Sequence, residues 1–129
     1  MQKRTSPRPL SFDEDFGSIE EGDWFIVRED YGVDFREGDL IEVVELDEED
    51  SETPIKAIVI GTANDLFNPN FKGIEEVTIG RADDIEYSIW LRFNSNWIDM
   101  ENLALPSDKL YFSTPEKNII ENIIIPPII

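Results

Sequence analysis

The chain has 129 residues, with 29 Asp or Glu against 11 Lys or Arg and a net charge of −18. That length suits one domain with one modest core, and a content of 40% apolar and 11% aromatic residues excludes a wholly disordered chain. With no Cys and no His, the sequence has no disulfide, thiolate nucleophile, Cys-ligated metal site or imidazole base.

Residues 1–18 read as a flexible N-terminal tail. They carry Lys3, Arg4 and Arg8, are broken by Pro7 and Pro9, and end in Asp13-Glu14-Asp15, with Leu10, Phe12 and Phe16 able to dock onto the body. The start lacks the apolar core of a signal peptide, and no run is long enough to span a membrane. A cytoplasmic location is the expectation.

Residues 19–114 read as a β domain. Strand-like runs are Asp23–Arg28, Leu40–Leu46, Ile55–Ile60, Glu75–Ile79 and Glu86–Phe93, with shorter ones at Leu103–Leu105 and Leu110–Phe112. In the fifth, Tyr87, Ile89, Leu91 and Phe93 alternate onto one face. A turn is expected at 99–102. The segment 62–73 is a long loop whose Leu66, Phe67 and Phe71 either fold back or serve as anchors. Glu21-Gly22-Asp23 and Glu37-Gly38-Asp39 echo each other 16 residues apart, each leading into an apolar strand. Gly tolerates positive φ and Asp bonds its own backbone, so each echo predicts a turn. Residues 115–129 form an Ile-rich extension with seven Ile in 15 residues. Left exposed, such a run would aggregate, so Ile119, Ile120, Ile123, Ile124 and Ile125 need cover.

The charge is localised. Residues 13–52 hold 18 acids against two bases, Arg28 and Arg36, whereas the first eight residues are basic. The densest clusters are Asp13, Glu14, Asp15 and the run Asp47, Glu48, Glu49, Asp50, Ser51, Glu52. A single-signed face of this kind repels nucleic acid and attracts a basic protein.

The stretch Phe35-Arg36-Glu37-Gly38-Asp39-Leu40-Ile41-Glu42-Val43-Val44-Glu45-Leu46-Asp47-Glu48-Glu49-Asp50 resembles the diverging turn, second strand and acidic loop of Src-homology-3 (SH3)-like barrels. Asp30-Tyr31 matches the end of that family's Ala-Leu-Tyr-Asp-Tyr motif. Phe93-Asn94-Ser95-Asn96-Trp97-Ile98 is similar to its Phe-Pro-Ser-Asn-Tyr-Val segment, with Asn94 for Pro and Trp97 for Tyr. Five to seven short strands with Gly, Asn and Asp punctuation predict an all-β fold, a small barrel or sandwich, and the resemblance implies that it is SH3-like. The resemblance implies peptide binding only if Tyr31 and Trp97 lie side by side. Departures from the family are a short 31–38 loop, no Trp after the acidic loop and about 30 extra residues before Trp97.

No phosphate-binding Gly loop, nucleophile elbow or calcium-loop spacing occurs. No catalytic residue, cofactor or metal is therefore expected. The expected function is that of a non-catalytic acidic protein, an inhibitor or immunity-type protein occupying the basic, nucleic-acid-binding site of a partner. The candidate partner-binding residues are Asp13, Glu14, Asp15, Tyr31, Asp47, Glu48, Glu49, Asp50, Glu52, Trp97, Ile123, Ile124 and Ile125, with Trp24 a further apolar anchor. The alternative is an assembly module that docks or homo-oligomerises through the Ile-rich tail.

Overall fold

The structure is a computed structural model that describes residues 7–73 and 84–113. Five antiparallel strands form one sheet: β1 (Trp24–Val27), β2 (Asp39–Leu46), β3 (Ile55–Thr62), β4 (Asn96–Ile98) and β5 (Leu103–Ala104). Their order is β4-β3-β2-β1-β5, so the last strand returns to pair with the first. This connection forces the sheet to bend. Residues 99–102 join strands at opposite edges, and Met100–Asn102 is a compact 3-10 turn. Five strands at roughly 4.8 Å spacing would hold flat edges about 19 Å apart, farther than such a turn reaches. The result is a curled half-barrel. Two register shifts between β2 and β3, at Leu40/Ile41 and Val43/Glu45, add local bend and twist.

Both faces of the sheet are covered. Alternate residues Phe25 and Val27, Ile41 and Val43, and Ile55 and Ala57 point inward, joined by Leu10, Ile19, Phe35, Ile98, Met100 and Leu103. On the other face Ile26, Leu40 and Ala63 are buried beneath Trp24, Ile60, Leu66, Phe71 and Phe112. The 62–73 loop supplies much of that second layer. Phe71 meets Trp24 edge to face at 5.6 Å. Lys109 Nζ sits 5.0 Å over Phe67. The loop's aromatics are therefore packing groups and not exposed anchors.

The Glu-Gly-Asp echo is a repeated turn. The Asp23 and Asp39 N–H groups donate to the carbonyls of Glu20 and Arg36, at 3.1 and 3.0 Å. Each Asp Oδ2 accepts from the N–H of that same residue, at 2.9 and 2.8 Å. Gly22 and Gly38 have φ of 97° and 89°, as the third residue of a type II turn requires.

Residues 7–18 attach to β5 at one point. Leu10 is 2% exposed and its N–H donates to Leu103 O. α1 (Phe12–Asp15) follows, with Phe12 and Phe16 stacked 4.8 Å apart against the inner core.

Two sequence expectations are corrected. Glu86–Phe93 is not a strand but belongs to α2 (Asp84–Phe93). Its apolar residues also fit helical spacing, with Ile89 and Phe93 one turn apart. Arg92 lies in the last turn, where a cation complements the helix dipole. The Asn94 N–H and Nδ2 both donate to Trp90 O and close the end. Leu110–Phe112 is likewise not a strand but the end of a 3-10 helix, Pro106–Phe112, started by its proline. The strand expected at 75–79 and the extension 115–129, including Ile123, Ile124 and Ile125, lie outside the described residues. Among the described residues, no helix is long and apolar enough to cross a membrane.

Candidate protein-binding face

Tyr31 lies in the β1–β2 connection, held by a two-residue bridge. Its N–H donates to Phe35 O at 2.9 Å, and the Phe35 N–H donates back to Tyr31 O at 3.3 Å. The two rings are 6.4 Å apart. Phe35 is buried in the inner core, so the half-buried Tyr31 ring rests on a fixed base. The turn is braced further by Asp30 Oδ1, which accepts from the Glu37 N–H at 2.9 Å. Asp39 sits behind it, and burial pushes its carboxyl above the usual value against the pull of the Arg36 N–H.

Three carboxylates from two other connections act on the Tyr31 phenol. Burial first, then the like-signed fields of Asp99, Glu52 and Asp50, push it above its ordinary value. Asp50 and Glu52 come from the β2–β3 loop and Asp99 from the β4–β5 turn. The loop is ordered by its own acids. Asp47 Oδ1 accepts from the Glu49 N–H at 3.0 Å. Asp50 Oδ1 accepts from the Thr53 and Glu52 N–H groups, at 3.2 and 3.1 Å, and these bonds hold its carboxyl below the usual range. Asp99 Oδ1 accepts from the Glu101 N–H at 2.9 Å. Glu48, Glu49 and Glu52 are free of such capping bonds among the described residues and are exposed. The arrangement is a partly buried aromatic whose phenol lies in the field of three carboxylates, two of them fixed by backbone N–H groups.

The second acidic cluster lies apart from it, in α1 beside β5. Ser11 caps that turn by accepting from the Glu14 N–H at 3.3 Å. Asp15 Oδ2 accepts from the Ser11 N–H at 2.8 Å, and Arg8 pairs with Asp15 at 3.2 Å. The Ser11 N–H and then Arg8 hold the Asp15 carboxyl below the usual range. Arg8 also approaches Glu14 at 3.7 Å. Asp13 is left exposed.

Trp97 occupies edge strand β4 opposite Lys56, whose Nζ lies 5.9 Å from its ring. Its ring does not pair with Tyr31, whose aromatic neighbour is Phe35. Among the described residues the two rings make no direct contact. Trp24 belongs to the covered outer layer, and its Nε1 donates to Glu42 Oε1 at 3.1 Å. Sequence reasoning missed Asp99, which lies 68 positions from Tyr31 and joins it only through the β4–β5 turn.

Among the described residues there are shallow clefts. One, about 300 Å³, is bordered by Leu10, Asp15, Trp24 and Leu105. Another, about 280 Å³, lies between Glu42 and Val44 on β2 and Leu91 and Arg92 on α2. Among the described residues, no group of three or more Asp or Glu is placed to hold a metal ion. No family model, curated protein or solved structure matches this chain.

Proposed function

We propose that this chain is a non-catalytic interaction protein on an SH3-like barrel, and that the face around Tyr31 receives a basic surface of a partner protein. The supporting observation is that a half-buried Tyr31 from one connection lies in the field of Asp50, Glu52 and Asp99 from two others, on a loop and a turn fixed by their own backbone bonds. The positive-φ turn at Gly38 leading into β2 and the 3-10 turn before β5 favour the barrel. In this reading the carboxylates stand where phosphates would lie in a nucleic-acid-binding site, and the protein acts in the cytoplasm as a competitive inhibitor. Long-range attraction raises the association rate, and the aromatic supplies short-range burial.

The test uses an octa-arginine peptide carrying one Trp as the probe. Glu48→Lys, Glu49→Lys and Glu52→Lys together remove charge from the face without removing a capping bond. Asp13→Lys, Glu20→Lys and Glu21→Lys make the same change in net charge elsewhere. The expected result is an association rate about 10- to 100-fold lower in the first variant, and a several-fold smaller loss in the second. Equal losses in both variants would overturn the reading, and so would binding by the native chain that is unchanged between roughly 50 and 500 mM salt.

A further inference from the structure

Among the described residues, Val33, Leu105 and Leu110 are exposed outside α2, and scattered exposed apolar side chains are normal on a protein surface. α2 is different, because Ile89 and Phe93 are 60% and 87% exposed and sit one helical turn apart on the same side. Other positions of the helix are engaged, since Leu91 and Arg92 line a cleft with Glu42 and Val44 of β2.

We propose that the Ile-rich segment 119–125 of the same chain covers the Ile89–Phe93 face of α2. The first argument is pattern. Ile119, Ile120, Ile123 and Ile124 recur at the spacing of one helical stripe, an apolar counterpart to a pair one turn apart.

The second argument is reach. Phe112 packs on the outer face of the sheet with Trp24, and Trp24 bonds Glu42, which borders the α2 cleft. The chain therefore leaves Ser113 on the face that carries α2. Residues 114–118 can extend about 17 Å, enough to bring Ile119 from the Trp24 layer toward the helix.

The third argument is charge. Arg92 is exposed beside the pair and Glu121 lies within the Ile segment, so docking sets opposite charges together in a strongly acidic chain. A short tether gives a segment of the same chain a millimolar effective concentration, which favours it over a second copy.

The test is hydrogen exchange on the full chain, with β2 and β3 amides as the internal standard for folding. In the native chain the amides of 119–125 are expected to be protected, and Phe93→Asp is expected to speed their exchange at least 10-fold while leaving β2 and β3 unchanged. Truncation after Thr114 is expected to raise the fluorescence of Nile red, a neutral dye, several-fold, and Phe93→Asp in the truncated chain is expected to abolish that gain. Exchange at 119–125 that ignores Phe93→Asp would overturn the proposal, as would truncation without effect on the dye. Light scattering that gives two chains for the native protein and one for Phe93→Asp would overturn it in favour of a second copy.

Discussion

The two acidic clusters read alike in the sequence and are put to different uses in the fold. At α1 the acids face a cation of their own segment. Arg8 pairs with Asp15 and approaches Glu14, and Asp15 closes the turn back onto Ser11. In the β2–β3 loop the acids have no such cation: among the described residues, every ion pair belongs to Arg8. Asp47 and Asp50 bind backbone N–H groups instead, and these fix the loop without cancelling its charge. The fold then adds Asp99 from a distant turn and sets Tyr31 among them. Density of acids alone thus says little; what distinguishes the two sites is where the nearest positive charge and the nearest aromatic come from.

The largest expected effect tests the base beneath each cluster. Phe35→Ala removes a fully buried ring under Tyr31 and should cost about 3–5 kcal/mol. Phe16→Ala removes a half-buried ring behind α1 and should cost roughly 1–2 kcal/mol by the smaller area it buries. Denaturant unfolding measures both. Equal costs would mean that the two clusters are equally well anchored. Next come the repeated turns. A Cβ on Gly22 or Gly38 would meet nothing within 4 Å, so alanine at either site pays only for positive φ, roughly 1–2 kcal/mol each. A much larger cost at Gly38 would show that its turn carries packing strain that Gly22 lacks.

The turns were legible in the sequence because they are local: Gly supplies the positive φ and Asp the bond three residues back. The strands β1, β2 and β3 were legible as apolar, β-prone runs, the first two led in by those turns. α2 was not. Eight residues of alternation at Glu86–Phe93 fit a period of two, but Ile89 and Phe93 fit a helix equally well, and so short a stretch does not separate the periods. In the structure β3 pairs with Asn96–Ile98, three residues with little alternation to reveal them. The candidate face was half legible. Tyr31 and the acidic loop could be named from composition and resemblance, but Asp99 joins them through a tertiary turn that no local pattern encodes. Trp97 was named from the resemblance, yet its neighbour is Lys56.

A smaller effect separates the two clusters by pH and salt. Asp15 and Asp50 both have lowered folded-state values, so the stability each contributes is present above the usual carboxylate range and is lost as pH falls through the folded value. Asp15→Asn and Asp50→Asn should each lower stability at pH 7 and should converge on the native chain near pH 2. Salt should divide them. Part of the Asp15 effect comes from Arg8, so 1 M NaCl should shrink it, whereas the Asp50 effect comes from backbone N–H groups and should persist. If salt shrinks both alike, the distinction between a cation-paired and a backbone-bound cluster fails.

The smallest effect is the most specific to the proposed face. The Tyr31 phenol is raised by burial first and by Asp99, Glu52 and Asp50 after it. A raised value means that the folded state prefers the neutral phenol, so this contribution to stability is intact below about pH 10 and is lost as pH rises through the folded value. Glu52→Gln removes one charge without touching the burial or a capping bond. It should lower the Tyr31 midpoint, followed by NMR on the ring, while leaving it above that of a free tyrosine. Glu14→Gln, which makes the same change in net charge at the other cluster, should leave the midpoint where it was. The paired result measures the local field directly. Equal shifts from Glu52→Gln and Glu14→Gln would mean that Tyr31 feels only the total charge of the chain, and the face would lose the localisation that sets it apart from α1.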